Sequence, residues 1–97
     1  MIRVITADDP ASTTVTVDGR LAAEFVEPVE VCCIQAISKS KPVLLYLRDV
    51  SLIDVRGRAL LRKLADKGVG LKASGVYSSY IVDEIQSFRM NARHTRA

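Results

Sequence analysis

The chain has 97 residues, enough for one domain with a single core. Its 48% apolar and 26% charged residues are ordinary for a globular protein, and no apolar run is long enough to span a bilayer. The only cysteines, Cys32 and Cys33, are adjacent, and His94 is the only histidine. This excludes a disulfide framework, a metal site of paired spacing and a histidine-based catalytic set. The net charge of +3 is unevenly spread: residues 1–54 hold five Lys or Arg against eight Asp or Glu, and residues 55–97 hold nine against three. A basic second half favours an acidic partner.

Ile2 to Thr6 and Thr13 to Asp18 alternate, with Ile2 and Val4, then Val15 and Val17, on one face. Asp8 to Ala11 supplies the turn between these two strands. From about Ala22 to Ser38 the pattern is helical, with Phe25, Val29, Cys32, Cys33 and Ala36 on the stripe that packs. Pro28 fits that helix in its first turn, where a missing amide costs nothing, and makes Ala22 to Glu27 an approach or irregular turn. Val31 and Ile34 fall off the stripe and leave an apolar patch.

A polar connector, residues 38–42, leads into Val43 to Leu47, an unbroken apolar run that predicts a central strand covered on both faces. Asp49 and Asp54 flank a short apolar connector, within which Ser51 is expected to make a local turn bond. A helix then carries Gly57, Leu60, Leu61 and Leu64 on one stripe, with Arg56, Arg58, Arg62, Lys63, Asp66 and Lys67 around the rest. Asp54 is a fitting N-cap and Gly68 a fitting left-handed exit.

Val69 to Ser74 predicts a strand parallel to the central one, and Gly75 ends it. Ser78 or Ser79 is expected to cap a last helix with Ile81, Val82, Ile85 and Phe88 buried. Residues 1–88 thus form the domain and residues 89–97 a basic, flexible tail, whose three arginines lack the interleaved aromatics of a nucleic-acid arm. The whole predicts an α/β fold, a mixed sheet of about four strands backed by helices. Neither common phosphate-binding glycine loop occurs, so no cofactor, metal or catalytic residue is expected, and a small-molecule enzyme is the least favoured reading.

Asp18–Gly19–Arg20–Leu21, the Pro28-containing helix, and the run Val43 to Asp54 followed by Gly57 together resemble a STAS domain, the module of sulfate transporters and anti-sigma-factor antagonists. The likeness covers about residues 13 to 88. In such antagonists the hydroxyl directly before this glycine is phosphorylated by a partner kinase to break the complex. Here Arg56 occupies that acceptor position and Val55 the neighbouring one, so the resemblance implies that the usual switch is lost. Gly19–Arg20–Leu21–Ala22 likewise departs from the G-E-L-D common in the family, and the chain stops short of the further strand and helix of most antagonists.

The resemblance implies a non-enzymatic module whose partner is a kinase-type anti-sigma factor or stress-signalling scaffold. The alternative is a small cytoplasmic subunit docking on the ATPase of a membrane lipid transporter. Asp54, Val55, Arg56, Gly57, Arg58, Arg62 and Lys63 are the expected partner-binding residues, on the helix that relatives use for contact. The N-terminus lacks a signal peptide's apolar stretch, which suggests the cytoplasm; a larger interface could cover the Val31 and Ile34 patch, and the sequence is compatible with a homodimer.

Overall fold

The structure is a computed structural model that describes the backbone of residues 1–96 and the side chains of residues 1–87; of the expected tail, 89–97, the backbone as far as Arg96 belongs to the last helix, and the expected burial of Phe88 lies outside the described side chains. The elements run β1 (Ile2–Asp8), β2 (Thr13–Leu21), a 3₁₀ turn (Ala23–Phe25), α1 (Val26–Ile37), β3 (Val43–Ile53), α2 (Val55–Asp66), β4 (Gly70–Ala73) and α3 (Val76–Arg96). One four-stranded sheet takes the order β1-β2-β3-β4, with β1 antiparallel to β2 and the other two pairings parallel. The first turn is closed by Asp9, whose Oδ1 accepts from the amides of Ala11 and Ser12, both at 2.8 Å.

Two successive right-handed crossovers moving the same way across the sheet put α1 and α2 on one face. There α1 packs on α2 and α2 on α3, while α3 also meets β3 and β4. The core fills the space between: Val15, Val17, Leu45, Leu47 and Leu71 from the sheet meet Val29, Cys33, Leu60, Leu61, Leu64, Ile81 and Ile85 from the helices. Cys33 is ordinary packing, its thiol pushed up to about 12 by burial, with neighbouring Cys32 adding a smaller upward push. Pro28 sits in the first turn of α1 as its chemistry requires, and the approach to that helix is the 3₁₀ turn.

Three local expectations are corrected. The central strand is covered on one face only: Val43, Leu45 and Leu47 are buried, but Leu44 and Tyr46 are half-buried on a face without helices. Their apolar surface is shaded within the sheet instead, by Thr14 and Thr16 across the β2 ladder and by Lys72, whose ammonium lies 5.5 Å from the Tyr46 ring centre. Second, the expected connector after Leu47 is strand. The pairing runs on as far as Leu21↔Ile53 through two register shifts that pass over Arg48 and Ser51 of β3, so Ser51 is a bulge residue inside the strand and makes no local turn bond. Third, α3 begins at Val76, directly after the left-handed Gly75 (φ 92°), so Ser78 and Ser79 are helical rather than caps. The buried Ser78 hydroxyl donates to the Val50 carbonyl at 3.1 Å.

The end of α2 follows its sequence closely. Gly68 is left-handed (φ 93°); its amide donates to Ala65 O and that of Val69 to Leu64 O, both at 3.0 Å. These are the two bonds of a Schellman closure.

Candidate functional site: the junction of β3 and α2

At the carboxyl end of the parallel strands, β2 and β3 finish side by side, and their last residues lead into two helix starts. Asp54 ties the starts together. Its Oδ1 accepts from Gly57 N at 2.8 Å, capping α2, and its Oδ2 accepts from Ala23 N at 2.9 Å, at the start of the 3₁₀ turn. Ala23 is held at φ 50°, a conformation costly for a residue with a Cβ, and the bond from Asp54 fixes its amide. The chain is also pinned through the backbone, because Asp54 N donates to Leu21 O at 3.3 Å. The amides of Gly57 and then Ala23 hold the Asp54 carboxyl below the usual carboxylate range, with Arg56 a smaller contributor. Asp54 is therefore an ionised cap, its lone pairs directed at backbone amides.

Gly57 is required by approach rather than by its dihedral angles. A Cβ there would run into the Leu21 carbonyl oxygen and press on Ile53 Cγ2. The first turn of α2 can lie against the end of β2 only without a side chain at this point.

The residues around this junction separate by helix face. Val55 is 82% exposed and begins an outer ridge continued by Ala59 and Arg62, both exposed. Arg56 and Lys63 lie on the α1 side, where they line a groove of about 300 Å³ with Val26, Glu30, Ala59 and Leu60. Lys63 Nζ reaches Glu30 across it at 2.6 Å. Arg58 turns the other way, to Glu84 of α3 at 2.9 Å. Of the four cations on α2 expected to act together, two are thus engaged within the fold. Arg56 and Arg62 have no ion pair among the described residues.

Val31 and Ile34, each 46% exposed, continue the α2-facing shoulder of α1 beyond Val26 and Glu30. The outward surfaces of α1 and α2 accordingly expose Val31, Ile34, Val55 and Ala59, together with Arg56 and Arg62, which have no ion pair among the described residues.

Tyr77 is a part of the junction that the pattern did not reveal. β4 pairs with β3 only from Leu44 to Leu47, which leaves the far end of β3 without a neighbour on that side. The Tyr77 hydroxyl takes the place of one: it accepts from Ile53 N at 3.0 Å and donates to Ile53 O at 3.2 Å. It fixes the backbone immediately before Asp54 from the α3 side. An earlier helix start, directly after Gly75, would have drawn attention to an aromatic hydroxyl in the first turn; its backbone partner carries no sequence signal.

No family model matches this chain, and no curated protein matches it. Among solved structures, an anti-sigma factor antagonist from Mycobacterium paratuberculosis superposes with a TM-score of 0.74, over 94% of this chain and 82% of that one, at 18% identity. The fold is that of an anti-sigma-factor antagonist. The STAS-like order of strands and helices expected from Asp18 to Leu21 and from Val43 to Gly57 is therefore the order observed. A crystal structure of Mglu matches with a TM-score of 0.58 and 21% identity over 74% of this chain but only 19% of that one. The same fold therefore also occurs as a small part of a much longer chain. No described helix of the present STAS-like domain is long and apolar enough to cross a membrane.

Proposed function

We propose that this chain is a non-enzymatic protein-interaction module which binds a kinase-type anti-sigma factor or stress-signalling scaffold through the outer face of α2, without a Ser/Thr phospho-switch. At the coarse level, the anti-sigma-factor-antagonist fold points to regulation through a protein partner. The observation that carries the finer reading is the start of α2. A junction locked by Asp54, Gly57 and Tyr77 holds Val55 and Arg56 outward on a rigid base, with an arginine where relatives carry the acceptor hydroxyl.

A surface residue that neither packs nor pairs contributes little to folding, so its chemistry is available to a partner. Arg56 and Arg62 supply charge for an acidic face, and Val55 with Ala59 supplies apolar contact at the centre. With arginine at the acceptor position, binding is constitutive toward the partner's kinase activity or is controlled elsewhere.

The test begins with affinity capture of the tagged chain from lysate of its own source, with and without ATP, followed by titration of the purified partner. A histidine-kinase-like ATPase that binds equally with and without ATP, and is lost to the double variant Arg56→Glu, Arg62→Glu, is the expected result. Unaltered binding by the double variant overturns the assignment of the face. Recovery of a transporter ATPase instead would reassign the partner to a transport system.

A further inference from the structure

The two edges of the sheet are built differently. β4 is a four-residue edge carrying Lys72 and Gly70, which suits it to remain unpaired. β1 is seven residues long, contains neither proline nor lysine, and pairs with β2 without a register shift. Its charges, Arg3 and Asp8, sit toward its two ends, so Val4 to Ala7 is a straight edge without proline, bulge or charge. The helix layer does not protect it either, since α1 packs on β2 and β3.

The hydrogen-bonding phase of this edge is fixed by one bond. Arg20 N donates to Met1 O at 3.1 Å, so Met1 turns its backbone polar groups toward β2. In an antiparallel strand that direction alternates residue by residue. Arg3, Ile5 and Ala7 therefore spend their backbone groups on β2, and Ile2, Val4, Thr6 and Asp8 direct theirs outward.

We propose that β1 pairs antiparallel with β1 of a second copy of this chain, about a two-fold axis at Ile5, to make one continuous eight-stranded sheet. This register sets Ile2 opposite Asp8 and Val4 opposite Thr6 in each direction. It is the symmetric register that satisfies the outward groups of all four residues, eight hydrogen bonds in total. It also places Ile5, 41% exposed on the helix-free face, against its own counterpart in the closer, non-hydrogen-bonded type of pair.

Charges agree with the register. Arg3 faces Ala7, so no like charges meet, and Asp8 is already neutralised by Lys39 at 3.3 Å and by Lys41. On the helical face, the half-buried Ile2 and Val4 gain cover from the partner strand. The pairing leaves α2 free in both copies, so a dimer presents two docking faces to a partner.

A strand pair of this length is smaller than a standard interface of about 1,600 Å², so the dimer should dissociate on dilution. Sedimentation equilibrium of the full chain between about 1 μM and 1 mM reads this directly, with a mass rising from one chain to two. Ile5→Lys puts two ammonium groups face to face on the axis, and Thr6→Pro removes one outward amide while leaving the β2 ladder whole. Each should shift the dissociation constant at least tenfold upward with an unchanged circular dichroism spectrum. A wild-type chain that stays monomeric throughout, or a dimer that both folded variants retain, overturns the proposal.

Discussion

Asp54 joins two helix starts with one carboxylate, so its removal should be felt at both. Asp54→Ala should lower the melting temperature by several degrees and increase exchange of the Ala23 and Gly57 amides with solvent, with Asp54→Asn recovering part of the loss. Gly57→Ala should be worse, costing about 3 kcal/mol, because the obstacle is the Leu21 backbone carbonyl and neither helix nor strand can yield without breaking its own ladder. Denaturant titration measures it; a cost under about 0.5 kcal/mol would contradict the tight approach of α2 to β2. Acid should act through three carboxyls held below their ordinary range: Asp8 at about 2, chiefly by Lys41, together with Asp18 beside Arg48 and Asp54. A depressed folded-state value means the stabilisation is complete above the unfolded value of 3.8 and is lost as pH falls toward the folded values. Melting temperature should accordingly change little from these groups between pH 7 and about pH 5, and fall between about pH 4 and pH 2. Asp8→Asn should reduce that fall.

At the scale of elements, Tyr77 carries the most information, since it replaces a missing strand at the end of β3. Tyr77→Phe removes both of its hydrogen bonds to Ile53 and should cost about 1 to 2 kcal/mol, with faster exchange at the Ile53 amide as the local signature. If neither changes, the latch is incidental. What could be read in advance follows from how local each signal is. The α2 stripe, its Asp54 cap and its Gly68 closure are set within one helix, by spacing and by residues a few positions apart, and they were legible. The length of β3 was not, because residues beyond Leu47 become strand only through pairing with β2 across two register shifts, in which β3 carries the extra residues. Nor was the bare second face of the sheet, because an apolar run such as Val43 to Leu47 looks the same whether a helix or neighbouring side chains cover Leu44 and Tyr46. The basic residues of α2 were legible as a set, but their division was not. Glu84 and Glu30, far off in sequence, claim Arg58 and Lys63.

For the molecule as a whole, one layer of helices on one face of a four-stranded sheet leaves two surfaces of different character. The α2 side combines a rigid helix start with arginines that have no ion pair among the described residues, and the far edge of the sheet ends in a strand without proline or bulge. Arg56 also offers a way to separate binding from folding. A cation in the first turn of a helix opposes the dipole while Arg56 also favours the ionised Asp54 cap, so replacing it with glutamate should change stability by no more than about 1 kcal/mol in either direction. Loss of binding could then not be blamed on unfolding. The most direct measurement is calorimetric titration of the captured ATPase with the wild-type chain and with Arg56→Glu, Arg62→Glu, alongside thermal melts of both. A melting temperature within a few degrees of that of the wild type, together with an affinity reduced at least a hundredfold, is what a docking face on α2 predicts. Equal affinity in a folded double variant would place the partner elsewhere on the molecule.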